Sequence, residues 1–459
     1  MISYPEKGGH MELFGTAGIR GPVAEITPEL ALGVGRAVGL DADEVVVGRD
    51  GRETGESLAA AVEAGLTSAG ADVRRVGQLP TPALAYASRD RHGVMLTASH
   101  NPPADNGIKL FDDAEEFDRE AERHIEDRVA NDSKAVAWDS WATAEHVDVL
   151  PAYLDAVTEY ASGHGSSPER MTVAVDCGNG MASLATPQVL RELGADVVAL
   201  NANVDGHFTA RESKPTAETL THLRAFVADG PAAFGIGHDG DADRIVIVDG
   251  TGEVVHEDTI LAVIAEHYTR QSDAGDPVVV TTPNASGRID ERVCEAGGRV
   301  ERVRLGALHE GVATASADGR AETTVVFAAE PWKHSHPAFG GWIDGVASAA
   351  VFTRLVAETG LSALRERVQE RPYRKESIPC PEGKKSPAMA RLESALPERF
   401  PEASVDTEYG VRLEFPDAAW TLVRPSGTEP YVRVYAESDD VDTLVSAVGE
   451  QVERAVEQA

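Results

Sequence analysis

Thr97-Ala98-Ser99-His100-Asn101-Pro102-Pro103 follows an apolar run, Gly93-Val94-Met95-Leu96, that reads as a short buried strand. The Asn-Pro pair closes it, because the residue before a proline is driven out of helical backbone and into a turn. Ser99 therefore stands at the C-terminal end of a strand, where open α/β sheets bind their ligands. Taken alone, the heptad is equally an ordinary Ser/Thr-rich turn, and the partners supplied by the rest of the chain decide between the two.

Working outward, the segments before Ser99 alternate: helix Thr27 to Leu40, strand Glu44 to Val47, helix Glu53 to Ala69, strand Asp72 to Val76, helix Pro82 to Ser88, strand Gly93 to Leu96. Such a series predicts a largely parallel sheet with right-handed crossovers and helices on both faces. Asp112 to Glu126 reads as a charged loop passing into a solvated helix, and Asn131 to His146 as a linker, which bounds a first domain at 1–146. A second alternating unit spans 147–252, with strands Met171 to Asp176, Asp196 to Leu200, Ala232 to Gly237 and Arg244 to Val248. A third spans 253–370, from helix Asp258 to Thr269 to helix Gly345 to Thr359. After Arg371 shorter strands and two helices, Pro387 to Leu396 and Val441 to Val456, read as an α+β domain, 371–459. The fold class expected is α/β: three tandem related domains with mixed sheets, then a C-terminal α+β domain.

Composition narrows the function. The net charge is -34, from 76 acidic against 42 basic residues, yet 42% of the chain is hydrophobic and the patterning is regular, so it folds. Eight of the basic residues are lysines. A surface this acidic repels itself at low ionic strength, so a salt-adapted protein is expected, whose melting temperature rises between low and molar salt. The same field disfavours nucleic acid. No segment has the uninterrupted apolar length of a membrane helix and no apolar leader opens the chain, so a cytoplasmic protein without a membrane partner is expected. Cys177, Cys294 and Cys380 form no CxxC pair, against a disulfide framework and against zinc.

Asp239-Gly240-Asp241-Ala242-Asp243-Arg244 lies between two strands. Alternate residues of extended backbone point the same way, so the three carboxylates converge on one hard cation, with Mg²⁺ the best match. A calcium EF-hand is excluded, since Arg244 stands where Gly is needed and Gly250 where Glu is needed. Gly235 to Gly240 satisfies GxGxxG, but a strand follows where a dinucleotide site needs a helix. Gly178-Asn179-Gly180 reads as a tight βα turn, and neither a Walker A sequence nor a GxSxG elbow occurs. Arg424-Pro425-Ser426-Gly427-Thr428-Glu429-Pro430, with Arg433, combines a guanidinium fork, hydroxyls and a glycine in a phosphate cradle, or is a plain hairpin turn. Phe14 to Gly21 is a glycine-rich turn holding Arg20. Lys109, ten residues past Ser99, is a proton-transfer candidate if neighbouring cations lower its pKa.

In their order and spacing, Phe14 to Gly21, Thr97 to Pro103 with Asn106 to Lys109, Asp239 to Arg244 and Arg424 to Pro430 resemble the α-D-phosphohexomutase family over essentially the whole chain. The resemblance implies four domains around a central cleft, and interconversion of 6-phospho and 1-phospho sugars through a phosphoserine and a bound hexose bisphosphate. It implies phosphorylated Ser99, Mg²⁺ held by Ser99, Asp239, Asp241 and Asp243, and Arg20 and Lys109 flanking the transferring group, with Lys109 or His100 in acid-base work. Arg244 supplies further positive charge, and Arg424, Ser426, Gly427, Thr428 and Arg433 grip the other phosphate. The sugar-reading loop, usually Gly-Glu-x-Ser-Gly-His, here is Ala329-Glu330-Pro331-Trp332-Lys333-His334: Glu330 and His334 are kept, Trp332 replaces the serine and Lys333 the glycine. The substrate implied is a small phosphosugar, glucosamine phosphate by the Asn-Gly-Ile-Lys and Asp-Ala-Asp-Arg motifs. Glucose or mannose phosphate is the alternative, as is a phosphatase built on the same serine. A monomer or homodimer is expected.

Overall fold

The computed structural model describes residues 12–15, 18–319, 322–426 and 429–459. Gly427 and Thr428 lie outside the described residues. The chain forms two compact units: Met1–Glu257 with Trp332–Leu364, and Asp258–Pro331 with Arg365–Ala459.

In the first unit the predicted parallel sheet is present: strands His92–Leu96, Glu44–Arg49 and Asp72–Gln78 run parallel. It extends further than the sequence pattern foretold. Asp105–Asp112 pairs antiparallel with His92–Leu96, and Ile19–Pro22 antiparallel with Asp105–Asp112. The stretch expected as a linker contributes a strand, Ala144–His146, parallel to Asp72–Gln78. Asp105–Asp112 escaped notice because its buried polar residues, Asn106 and Lys109, break the apolar pattern. Helices Pro28–Gly39 and Gly55–Ala69 cover one face, approaching so closely that a Cβ on Gly35 would lie 2.2 Å from the Val62 carbonyl oxygen. Val34, Val62, Leu66 and Val94 fill the core between them and the sheet.

A second sheet of this unit has the order Ile245–Val248, Phe234–His238, Thr172–Asp176, Asp196–Leu200, parallel except for the first strand. Asp239 to Arg244 joins its antiparallel pair, at the C-terminal end of a parallel strand. Gly178 and Asn179 turn with φ of 56° and 58°, the tight βα turn expected. A hairpin, Lys333–His336 with Gly340–Ile343, leads into helix Gly345–Thr359.

The second unit has three parallel strands, Arg299–Arg302, Asp276–Thr281 and Thr323–Glu330, and an unforeseen helix, Leu308–Asp318. Its antiparallel sheet runs Tyr373–Pro379, Tyr431–Glu437, Trp420–Pro425, Val411–Glu414, Ser404–Asp406, with Glu382–Arg399 and Val441–Gln458 packed on it through Leu392, Leu396, Val448 and Val452. Buried Arg288 is 3.0 Å from Glu437, which also accepts a hydrogen bond from the Trp420 indole at 3.1 Å. No described helix is long and apolar enough to cross a membrane.

Candidate active site

Ser99 is fully buried with φ of 51°, left-handed backbone that a non-glycine residue holds only where its surroundings enforce it. The enforcing group is Arg52. Its guanidinium donates to the carbonyls of Pro102 (2.6 Å), Asp105 (2.9 Å), Ser99 (2.9 Å) and Asn101 (2.8 Å), and its Nε to Asp50 at 3.1 Å. Asp50 also accepts from Thr97 Oγ1 at 2.7 Å, and Thr97 Oγ1 accepts the Ser99 N–H at 2.9 Å. Nothing in the local sequence pattern singles out this pair. The available signal was position, since Asp50-Gly51-Arg52 follows the strand that runs parallel beside the one ending at Leu96.

The three aspartates meet Ser99. Asp239 Oδ2 accepts from Ser99 Oγ at 2.7 Å, Asp241 Oδ2 from Thr81 Oγ1 at 2.7 Å, and Asp243 Oδ2 from Lys109 Nζ at 3.1 Å. A Cβ on Gly240 would lie 2.6 Å from the Ser99 carbonyl oxygen, so only glycine permits this approach of the two loops. The carboxylates are buried and each offers an oxygen within 4.8 Å of the others. Oδ1 of Asp241 and of Asp243 is buried without a hydrogen-bond partner. Burial, then Asp243 and Asp241, raise the Asp239 carboxyl well above its ordinary range. For Asp243 burial acts the same way but is outweighed by Lys109, Lys333, Arg244 and Arg20, and its carboxyl is held low. Crowded anionic oxygens with unused lone pairs are the donor set a hard divalent cation requires, so the residues fit Mg²⁺.

Lys109 lies 3.7 Å from Asp241 and 3.6 Å from Glu116 besides Asp243. Burial pulls its pKa down, but Asp243, Glu116 and Asp241 prevail and hold the ammonium above the ordinary lysine value. The expectation of a lysine lowered by cations is thus reversed: its close neighbours are carboxylates. Glu116, absent from the sequence reading, is kept ionised by Lys109, Lys333 and Arg20 against the effect of burial. Arg20 stands opposite Gly107 in the antiparallel pair, and its charge reaches His100, Lys109, Glu116 and Asp243. Arg244 Nε is 3.6 Å from both Asp239 and Asp243. His100 Nδ1 lies 3.4 Å from Ser99 Oγ, and burial, with Arg244 and Arg20, lowers its pKa to about 3, so the ring is neutral at ordinary pH.

The residues of the altered loop separate. Trp332, with φ of 74°, packs against the cluster of Ala174, Leu220, Leu223, Val246 and Val248, and its carbonyl accepts from Ile245 N at 3.2 Å. Lys333 pairs with Arg244 in an antiparallel bridge. His334 points the opposite way, as strand alternation requires. Its ring is 2% exposed with Nδ1 3.2 Å from Ser348 Oγ. His336 Nε2 meets the same hydroxyl at 2.8 Å. Burial lowers His334 to about 3, and burial, with His334 and His164, lowers His336 well below its ordinary value. Below about pH 6.5 the unfolded chain takes protons that these folded rings refuse, so stability falls as pH drops, by up to about 1.4 kcal/mol per pH unit for each ring. The melting temperature should fall between about pH 7 and about pH 5, and less steeply in His336→Phe.

In the second unit Glu330 ends its strand and accepts from Gly306 N at 2.6 Å, fixing that turn. Arg424 and Arg433 face each other across adjacent strands, with Arg424 Nη2 3.2 Å from Tyr435 Oη and Arg433 paired with Glu429. Lys385 Nζ donates to the Ser426 carbonyl at 2.6 Å. Like charges directly opposite in a sheet cost energy unless an anion joins them, which suits the phosphate cradle reading of Arg424, Ser426 and Arg433.

Comparison with known proteins bears on the fold and the family. Family models match at residues 11–136 (phosphoglucomutase/phosphomannomutase, alpha/beta/alpha domain I), 151–252 (domain II) and 378–454 (C-terminal domain). A protein of Thermococcus kodakarensis named "Phosphopentomutase" is 40% identical, over 98% of this chain and 99% of its own. One of Methanopyrus kandleri named "Probable phosphoglucosamine mutase" is 40% identical, over 93% of this chain and 94% of its own. A phosphoglucomutase/phosphomannomutase family structure from Burkholderia thailandensis superposes with a TM-score of 0.85 at 23% identity, covering 100% of this chain and 98% of that one. The family models and these relatives therefore define a sugar-phosphate mutase, an isomerase that moves phosphoryl groups. The chain belongs to the phosphoglucomutase/phosphomannomutase family, the α-D-phosphohexomutases.

Proposed function

We propose that the mutase reaction runs through a phosphorylated Ser99: its phosphoryl group passes to the free hydroxyl of a sugar monophosphate, and the other phosphoryl of the resulting bisphosphate returns to Ser99 Oγ. The observation that carries this is the 2.7 Å bond from Ser99 Oγ to Asp239 inside the buried aspartate cluster. Asp239, Asp241, Asp243 and the seryl phosphate would hold Mg²⁺, which when bound neutralises charge on the transferring group. Arg20, Lys109 and Arg244 add fixed positive charge around it. His100 lies beside Ser99 Oγ, within reach of a sugar hydroxyl's proton, but its lowered pKa makes it a weak base, whereas Lys109, held protonated, is suited to stabilise charge. Arg424, Ser426 and Arg433 would hold the phosphate that stays in place.

The test is turnover of glucosamine 6-phosphate, glucose 1-phosphate, mannose 1-phosphate and ribose 5-phosphate side by side. Dependence on a catalytic sugar bisphosphate and little free phosphate are expected; steady phosphate release would refute the mutase cycle. Chelation with EDTA should reduce turnover at least about a hundredfold while leaving the circular dichroism spectrum intact, and Mg²⁺ should restore it. Activity indifferent to EDTA would remove the metal from the scheme.

A further inference from the structure

The replacement of the loop glycine by Lys333 adds a charge to the site. Lys333 and Arg244 are directly opposed in an antiparallel bridge, which sends both side chains to the same face. On that face Arg244 reaches Asp239 and Asp243. Trp332 fixes the strand's entry through its left-handed backbone, its bond to Ile245 and its packed indole. The Lys333 charge is felt by Asp243, Glu116 and His100. No carboxylate lies within ion-pair distance of it among the described residues.

At full formal charge, as the aspartates would stand around a bound cation, Arg20, Lys109, Arg244 and Lys333 match Asp239, Asp241, Asp243 and Glu116 in number. Mg²⁺ and a seryl phosphate of nearly two negative charges would keep them in balance. A sugar whose ring carries only hydroxyls adds no charge to this centre beyond its phosphate. The ammonium of glucosamine phosphate brings an unmatched positive charge to the face that already carries Lys333 and Arg244.

Resting on the phosphoserine reading above, we propose that Lys333 is a specificity-determining residue that excludes amino sugars, so that the substrate is a neutral-ring sugar phosphate, a pentose or hexose, rather than glucosamine phosphate. This departs from the sugar the sequence motifs suggested.

The experiment compares glucose 6-phosphate with glucosamine 6-phosphate, which differ only in hydroxyl against ammonium at one carbon, in the wild type, Lys333→Met and Lys333→Glu. The wild type is expected to favour glucose 6-phosphate about tenfold or more in kcat/KM, the Met variant to narrow the ratio to about threefold or less, and the Glu variant to invert it. The change should fall mainly in KM for the amino sugar. If ribose 5-phosphate alone is turned over, the same ratio is read from the two hexose phosphates as competing inhibitors. A wild type that uses the amino sugar equally or better, or a ratio unmoved in Lys333→Met, would overturn the proposal while leaving the phosphoserine cycle standing. No turnover of any of the three sugars would overturn both.

Discussion

Ser99→Ala is expected to abolish the single phosphate gained on incubation with a sugar bisphosphate, read by intact mass, and to cut kcat by at least about three orders of magnitude. The size follows from the division of labour at the site. In the proposed cycle the protein supplies position and compensating charge, and the serine oxygen is the atom through which both halves pass. Aspartates and cations left in place can still bind a sugar phosphate, so KM should move far less than kcat. The variant should fold, because the Ser99 side chain makes its close bond to Asp239 while the loop is held through main-chain carbonyls by Arg52. A Ser99→Ala protein that keeps its phosphate or its turnover would place the nucleophile elsewhere.

Much of this was legible in the residues, for a physical reason. Glu44–Arg49 and His92–Leu96 are buried on both faces and read as apolar runs, and Asp239, Asp241 and Asp243 share one loop, so their spacing alone brings them together. What stayed hidden depended on pairing across long separations. Lys109 meets Asp243 across 134 positions and Thr81 meets Asp241 across 160, contacts that no local pattern announces. Strand Asp105–Asp112 was obscured by the same fact, since Lys109 is buried against Asp243 and Asn106 against Thr54, each far away in the chain. His334 alternates with Lys333 along the strand and meets Ser348. One residue decides which side chain of Lys333–His336 faces the aspartates, and that register is set by Trp332.

Arg52→Ala is expected to have the second large effect, destabilising the first unit by about 3–5 kcal/mol and lowering the activity of whatever remains folded by about a hundredfold. Both members of the Asp50–Arg52 pair have fully buried side chains, so removing the arginine strands a carboxylate already raised by burial. It also orphans four carbonyls of the serine loop, which is free to leave the left-handed conformation at Ser99. The guanidinium lies 5.1 Å from the centroid of the Phe208 ring, and a Cβ on Gly240 would come 3.2 Å from that same ring. Arg52 thus supports the serine loop directly and the aspartate loop through Phe208. Arg52→Lys separates charge from shape: it keeps the ion pair with Asp50 but cannot reach four carbonyls with one ammonium. It should recover much of the melting temperature and little of the kcat, with KM nearly unchanged. If lysine restored both, charge alone would explain the residue and the positioning role would fall.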